Sequence, residues 1–325
     1  MSAVSRRTLL GSAAALGTSA WVAPAFAQPA GKPITLVVPT PAGGTTDITA
    51  RLLAEPLGRL LGVPVVVENK GGGNGNIAGL QVARSAADGT SLLVQYSGYQ
   101  CITPLVQPVS GFDPGKDLAP LGHLIDAPQL LVVRSNFPAA NFTEFLKYVK
   151  ANPGKVNYAS SGDGSLQHVT TELLKELTKT FMVHIPYRGT GQALTDLLAG
   201  TVDLTITTPP PLLAHIRSGK LRALMVTGRT RLPVLPDVPT AIEQGVSLVA
   251  SSWFALYGPN GMPAGTQARI TAAVQQVVAS EVFKKRAEEQ GAKAVYVDPA
   301  ELARLEANDR SMWKRVIRLA NIKAD

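Results

Sequence analysis

Short runs of apolar residues alternate along the chain with segments in which apolar residues recur every three or four positions. The runs 34–39, 63–68 and 91–96 predict buried strands, and a glycine-containing turn and a helical pattern follow each of them. Repetition of strand, turn and helix predicts βαβ units, in which helices cover both faces of a mostly parallel sheet.

A second series of the same kind occupies the middle of the chain. Its pattern predicts strands over 129–134, 156–160, 182–186, 203–207 and 221–227, and helices over 142–151, 166–179 and 192–200. The C-terminal part predicts a strand over 253–257, a helix over 266–290, a strand over 294–297 and a helix over 299–320. Because the first series has few strands, we expect the C-terminal elements to return and complete the first sheet.

Two such series predict an α/β protein with two lobes, each a mostly parallel sheet flanked by helices, and a ligand cleft between them. A length of 325 residues with 45% hydrophobic content exceeds the usual size of one domain and can supply two cores. We assign residues 28–125 and 252–325 to lobe 1 and residues 126–251 to lobe 2, so that the chain crosses twice between them.

Residues 1–27 have the composition of an export signal rather than of the fold. Arg6 and Arg7 form a twin-arginine pattern, a weakly apolar stretch follows, and the small-residue site Ala25-Phe26-Ala27 places cleavage before Gln28. We therefore expect export to the periplasm, where no nucleotide pool would supply a kinase or a dehydrogenase. No later segment offers the ~18 uninterrupted apolar residues of a membrane span.

Composition excludes several other classes of function. The net charge of +8 comes from 31 Lys and Arg against 23 Asp and Glu, but the basic residues are dispersed and form no stripe that would bind nucleic acid. The single Cys101 cannot form an internal disulfide, and the four histidines lack metal-ligand spacing along the sequence. We expect no metal and no cofactor.

The first strand leads into a loop rich in glycine and threonine, Ala42-Gly43-Gly44-Thr45-Thr46-Asp47, directly before a helical pattern. Free N–H groups and hydroxyls at a helix start form a cradle for an anion. The alternative is an ordinary tight turn in which Asp47 only complements the helix dipole.

A second loop of similar character, Ser161 to His168, follows the strand predicted at 156–160. Ser165 has the position of a helix N-cap, so that this loop is a second candidate anion cradle and includes Gly164. Ser165 and His168 could instead be the nucleophile and base of an exported hydrolase, but no G-x-S-x-G elbow surrounds the serine. His168 taken alone is equally consistent with an exposed residue of the first helical turn.

Two further motifs are weaker. The segment 71–78 matches G-x-G-x-x-A, but no acidic residue follows the next strand to hold a ribose, and we interpret it as a close helix–sheet turn. Tyr187 and Arg188 could present an aromatic face and a guanidinium to a carboxylate, or Arg188 could simply lie on the surface. No paired carboxylates stand where glycosidase chemistry would need them, and no Walker lysine follows the glycines, so we expect a binding protein rather than an enzyme.

The motifs together resemble the substrate-receptor family of tripartite tricarboxylate transporters, the Bug-type periplasmic receptors. The resemblance covers essentially all of the mature chain. It rests on the twin-arginine leader and on the segments 38–51, 67–75, 86–90, 158–168, 187–200 and 235–240.

The resemblance implies a monomeric two-lobed receptor that closes on a small carboxylate and delivers it to membrane permease subunits. In such receptors loop N–H groups, hydroxyls and ordered waters hold the ligand carboxylate. Carried onto this sequence, and with the Tyr187–Arg188 motif included, the implied site consists of Ala42, Gly43, Gly44, Thr45, Thr46, Asp47, Ser97, Ser161, Gly164, Ser165, His168, Tyr187, Arg188 and Thr207. The chain departs from common family forms at 96–100 and 207–211, and the identity of the acid stays open.

Two alternatives to a transport receptor remain at this point. One is an exported hydrolase that uses Ser165, which turnover of ester substrates would reveal. The other is a receptor that presents its ligand to a sensor protein, which the absence of neighbouring genes for permease subunits would indicate.

Overall fold

The computed structural model describes residues 31–319 and residue 322 of the chain. The predicted signal peptide, residues 1–27, lies outside this part. Within it, every helix is too short or too polar to cross a membrane.

The described residues form an alternating series of strands and helices. The strands are β1 (Ile34–Val38), β2 (Val65–Asn69), β3 (Ser91–Tyr96), β4 (Leu118–Pro128), β5 (Leu130–Arg134), β6 (Asn157–Ser160), β7 (Val183–Pro186), β8 (Leu204–Thr207), β9 (Leu221–Val226), β10 (Ser251–Pro259) and β11 (Lys293–Ala294). The helices are α1 (Thr45–Leu61), α2 (Asn76–Ala83), α3 (Thr103–Val106), α4 (Pro114–Asp117), α5 (Phe142–Ala151), α6 (Leu166–Thr178), α7 (Thr190–Ala199), α8 (Leu213–Arg217), α9 (Ala264–Ala279), α10 (Glu281–Glu289) and α11 (Pro299–Leu319).

The strands form two sheets, of order β11-β4-β10-β3-β1-β2 and β7-β6-β8-β5-β9. In the first sheet β1 lies parallel to β2 and β3, with Leu36 opposite Val67 and Leu92. Strand β10 lies between β3 and β4 and is antiparallel to both. The expected return of the C-terminal strand to the first sheet is therefore confirmed.

Both sheets are mixed, which corrects the prediction of mostly parallel sheets. In the second sheet β6 is parallel to β7 and β8, whereas β5 is antiparallel to β8 and β9. Only Gln129 separates β4 from β5, so the chain enters the second sheet from the side where β6 and β8 end. A strand that enters from that side must be antiparallel to β6 and β8. Strand β10 enters the first sheet in the same way and is antiparallel to β3.

Alternate residues of the central strands pack on opposite faces, as strand geometry requires. Leu36 and Leu92 belong to the apolar cluster on one face of the first sheet, and Val37 and Leu93 belong to the cluster on the other. The second sheet divides its side chains in the same way. Helices cover both faces of each sheet. A ligand can therefore reach the sheets only at the ends of their strands.

Several element boundaries differ from the predictions by one to three residues, and three differences are larger. The helix predicted at 266–290 is two helices, because Ser280 adopts an extended conformation with ψ 139° and its side chain accepts the Phe283 N–H at 3.3 Å. Strand β11 has two residues rather than the four predicted. Strand β4 was not predicted, because Pro120, Gly122 and Asp126 interrupt its apolar pattern.

Candidate functional site

A small polar pocket lies where the carboxyl ends of strands from the two sheets face each other. Its cavity volume is only about 20 Å³, far below the ~300–1,000 Å³ typical of small-molecule sites. The first sheet and its loops contribute Thr40, Gly44, Thr45, Thr46, Tyr96, Ser252 and Phe254, and the second contributes Ser161, Gln167, Thr190 and Thr208. All of these side chains are uncharged at neutral pH. We call this space the cleft pocket.

The topology explains why these residues meet. Thr40 and Ser161 follow β1 and β6, Tyr96 ends β3, and Thr208 follows β8. Carboxyl ends of parallel strands lie at one edge of a sheet, and the two sheets present those edges to each other. Ser252, near the start of β10, joins them because β10 enters the first sheet from the cleft.

Two helices begin at the cleft pocket without a side-chain cap. The N-cap residues of α1 and α7 are Gly44 and Gly189, and neither can supply a capping side chain. The N–H groups of Thr45 and Thr46 have no hydrogen-bond acceptor among the described residues. Uncapped N–H groups at a helix start carry partial positive charge and favour a bound anion.

The loops at these two helix starts approach each other closely. A Cβ atom at Gly189 would lie 2.7 Å from Cδ of Pro41, and one at Gly191 would lie 3.1 Å from the carbonyl oxygen of Ala42. Glycine is therefore required sterically at Gly189, which also has a φ of +147°. Ala42 thus borders the start of α7 through its backbone.

Side chains of the two sheets also form direct hydrogen bonds across the cleft. The hydroxyls of Thr45 and Thr208 lie 2.6 Å apart. The Tyr96 hydroxyl lies 3.4 Å from Oγ of Ser161, and the Tyr99 hydroxyl donates to the Ser161 carbonyl at 3.4 Å. The pocket is therefore bounded by polar contacts between the lobes.

An aromatic cluster borders the pocket, and Tyr96 and Phe254 are its lining members. The rings of Tyr96 and Tyr99 lie 4.6 Å apart, and that of Phe254 stacks on Tyr96 at 6.0 Å. Burial raises the pKa of Tyr99 to about 12 and that of Tyr96 well above its ordinary value. Both phenols therefore keep their protons at neutral pH and can donate hydrogen bonds.

The first predicted loop divides into residues that line the pocket and residues that shape the loop. Gly44, Thr45 and Thr46 line the pocket. The buried carboxylate of Asp47 instead accepts the Gly43 N–H at 2.9 Å and an Asn69 N–H at 2.9 Å, and it pairs with Arg51 at 3.0 Å. Burial alone would raise the pKa of Asp47, but the bonds from Arg51, Gly43 and Asn69 outweigh it and hold the pKa below its ordinary value.

The second predicted loop divides in the same way. Ser161 lines the pocket, whereas Ser165 is fully buried and caps α6 by accepting the His168 N–H at 3.3 Å. Nδ1 of His168 accepts the Gly164 N–H at 3.1 Å. The serine is thus bonded to the backbone of His168 rather than to its imidazole, which is not the arrangement of a nucleophile and its base.

Three side chains behind this loop form a cluster that sequence spacing did not indicate. Potential ligand atoms of Asp163, His168 and His184 lie within 4.8 Å of one another, and Nε2 of His184 bonds with Oγ of Ser160 at 2.6 Å. The two imidazoles stack face to face at 4.0 Å with 12° between their planes. Parallel stacked rings cannot both direct a lone pair at one ion, and the cluster instead supports the loop. Burial, with His168 and Lys175 nearby, lowers the pKa of His184 to about 3.

The other predicted site residues lie around the pocket rather than in its wall. Ser97 is buried at the start of the π-helical segment Gly98–Ile102, and its hydroxyl has no partner among the described residues. Thr207 accepts a hydrogen bond from Gln167 at 3.2 Å. Tyr187 donates to Asp196 at 2.6 Å, and Arg188 is exposed.

Seven lining residues were not among the predicted ones. They are Thr40, Tyr96, Gln167, Thr190, Thr208, Ser252 and Phe254. Most stand within one or two residues of a strand end or in a first helical turn, so a rule that included every such polar residue would have found them. Ser252 stands at the start of β10 and meets the same rule, whereas Phe254 carries no such signal, because it is an apolar residue inside the strand.

A comparison with protein-family models matches residues 49–322 to the tripartite tricarboxylate transporter family receptor. Among curated proteins, protein BugT of Bordetella pertussis (strain Tohama I) is 35% identical over 294 residues, which cover 90% of each chain.

Solved structures give the same result at the level of the fold. The periplasmic binding protein BugD superposes with a TM-score of 0.85 at 34% identity, over 90% of this chain and 99% of that one. Rpa4515 of R. palustris with adipate has a TM-score of 0.87 at 32% identity, covering 90% and 98%. MatC (Rpa3494) of Rhodopseudomonas palustris with bound malate has a TM-score of 0.82 at 33% identity, over 87% of this chain and 98% of that one. The two-lobed α/β fold predicted from the sequence is confirmed.

Proposed function

The chain belongs to the tripartite tricarboxylate transporter receptor family, and from that premise we propose that it is a periplasmic receptor that binds a small carboxylate in the cleft pocket. The observation that carries the proposal is the pocket itself, which combines uncharged donors from both sheets with the uncapped starts of α1 and α7.

The chemistry of the pocket supports an anionic ligand. The hydroxyl of Thr40 is buried and has no partner among the described residues, and Thr40 lines the pocket together with Thr45 and Thr46. Neutral donors and helix dipoles stabilise a carboxylate without a salt bridge. Similar proteins carry adipate and malate, which supports the same class of ligand here.

We propose that the ligand binds by closure of two lobes, residues 28–125 with 252–325 and residues 126–251. The segments that pass between the sheets run side by side and support this division. The Thr227 N–H donates to the Gln129 carbonyl at 2.8 Å, and its hydroxyl donates to the Ala250 carbonyl at 2.6 Å. Paired extended segments of this kind allow rigid rotation without unfolding either core.

Export and delivery complete the proposal. The twin-arginine pattern of residues 1–27 directs the chain to the periplasm, and the receptor delivers its acid to membrane permease subunits. We propose no catalytic step, and the capping role of Ser165 argues against the hydrolase alternative.

A panel of acids tests the proposal. Acetate, benzoate, succinate, malate and adipate are titrated into the mature protein by calorimetry and by thermal shift, with glucose and putrescine as neutral and cationic controls. At 100-fold its Kd an acid should stabilise the protein by about 2.7 kcal/mol. If glucose or putrescine binds and none of the acids does, the protein is not a carboxylate receptor.

A further inference from the structure

Gln167 makes three hydrogen bonds at the edge of the cleft pocket. Its Nε2 donates to Oγ1 of Thr190 at 3.3 Å and to Oγ1 of Thr207 at 3.2 Å, and its Oε1 accepts from Oγ of Ser161 at 2.8 Å. The side chain is almost completely buried. Both N–H protons of the amide and one lone pair are therefore committed to partners on three different segments.

The direction of these bonds follows from a donor that cannot be reversed. The Nε2 of an amide can only donate, so Thr190 and Thr207 accept its protons, and the Oε1 can only accept. Ser161 therefore donates its own proton to Gln167.

Each threonine oxygen accepts a proton from Gln167 and so has one of its two lone pairs occupied. Neither hydroxyl proton has an acceptor among the described residues, so each is left to be donated to another partner. Thr190 lines the pocket and is also the first residue of the uncapped helix α7. At this point the pocket wall therefore presents hydroxyl and backbone donors together.

We propose that Gln167 is a positioning residue that holds Thr190 in the pocket wall as a hydrogen-bond donor and thereby selects an ionised carboxylate over the neutral amide of the same shape. The inference rests on the proposed carboxylate receptor and adds the origin of its selectivity. A carboxylate only accepts, whereas the NH2 group of an amide would face donors and leave them unpaired, which is costly in a buried site.

The test compares each acid of the panel with its fully amidated counterpart, for example adipate with adipamide and malate with malamide. For the acid that binds most tightly, the ratio of Kd for amide to Kd for acid should be at least about 100 in the wild-type protein. In Gln167→Met both lone pairs of the Thr190 hydroxyl are available to accept from an amide, so this ratio should fall by about tenfold. Gln267→Met is the matched control, because it removes a bond from a glutamine side chain to the Met262 carbonyl at 2.8 Å, at the start of α9 and away from the pocket. Its ratio should equal that of the wild type.

The outcomes separate this inference from the proposed function. If no acid binds the wild-type protein, the carboxylate receptor itself is excluded. If acids bind but Gln167→Met weakens acid and amide by the same factor, or still binds no amide, Gln167 is only structural and the inference is wrong. If Gln167→Met does not fold, two variants of Thr190 replace it. The ratio of Kd for amide to Kd for acid should fall in Thr190→Val and stay at the wild-type value in Thr190→Ser. An unchanged ratio in Thr190→Val would also overturn the inference.

Discussion

At the scale of single residues, the two predicted loops contain side chains of two kinds. Thr45, Thr46 and Ser161 face the cleft pocket, while Asp47, Ser165 and His168 bond to backbone and hold those three in place. A polar residue in a ligand-binding loop is thus as often a support for the loop as a contact to the ligand.

Asp47 should make stability depend on pH at the acid end. Its folded-state pKa lies below its ordinary value, so its contribution is present above the unfolded pKa of ~3.9 and is lost as pH falls through the folded pKa. Asp47→Asn should cost about 1–3 kcal/mol at pH 7 by urea unfolding. The difference from the wild type should shrink steadily below pH 4. A deficit of equal size at pH 7 and at the lowest pH where both proteins fold would contradict this role. Asp237→Asn, at an exposed position, is the control.

Ser165 should behave as a helix cap and not as a ligand contact. Ser165→Ala removes the acceptor for the His168 N–H and should lower the free energy of unfolding by about 1 kcal/mol. Since Ser165 does not line the pocket, the affinity for the tightest acid should change less than in Thr190→Val. Calorimetry on the two folded variants decides, and a larger loss in Ser165→Ala would assign the serine to the ligand.

At the scale of elements, the glycine-rich segment before α2 reaches across the cleft. Asn74 donates to the Asp163 carbonyl at 3.0 Å and also to the Gln107 side chain. A Cβ at Gly162 would lie 2.1 Å from Oδ1 of Asn74, so only glycine allows this approach. The segment that resembles a dinucleotide motif therefore contacts the loop before α6 without entering the pocket.

Asn74→Ala should weaken acid binding without altering selectivity. Loss of a hydrogen bond between the lobes removes about 0.5–1.5 kcal/mol from the closed state, which corresponds to a two- to tenfold rise in Kd for every acid that binds. Asn260→Ala, which removes a bond within one lobe to the Lys116 carbonyl, should leave Kd unchanged. Equal Kd values for Asn74→Ala and the wild type would mean that this contact does not favour the closed state.

At the scale of the whole molecule, the proposed lobes meet through small residues at the starts of α1 and α7. This arrangement predicts that the radius of gyration decreases when the tightest acid of the panel saturates the protein. A ligand that touches both lobes stabilises the closed state only through that difference in contact.

Gly191→Val should prevent this decrease. The Cβ atom alone would lie 3.1 Å from the Ala42 carbonyl, and the two methyl groups of valine would occupy the space in which the loops meet. Gly265→Val is the control, because it lies in α9 away from the pocket and a Cβ there would have nothing within 4 Å. Small-angle scattering with and without the acid provides the measurement. An equal decrease in Gly191→Val and the wild type would place the closing contact elsewhere.

Most secondary structure could be predicted because it depends on neighbours along the chain. The spacing of apolar residues indicated β3 and α5 at the bounds they have, and the cap at Ser165 followed from its place before a helical pattern. The missed strand β4 shows the limit, since its polar residues pair within the sheet in ways that local composition does not reveal.

The sequence by itself determined the alternation of strands and helices, the family, and the two loops that begin α1 and α6, because each of these is encoded within a few consecutive residues. Only the tertiary structure decided which side chains meet. Thr45 faces Thr208 across 163 positions of sequence, and Gln167 joins Ser161 to Thr190 and Thr207. Such pairs depend on how two sheets pack and on which strands enter from the cleft. The direction of each hydrogen bond, and so the selectivity we infer for the pocket, exists only once those partners are in contact.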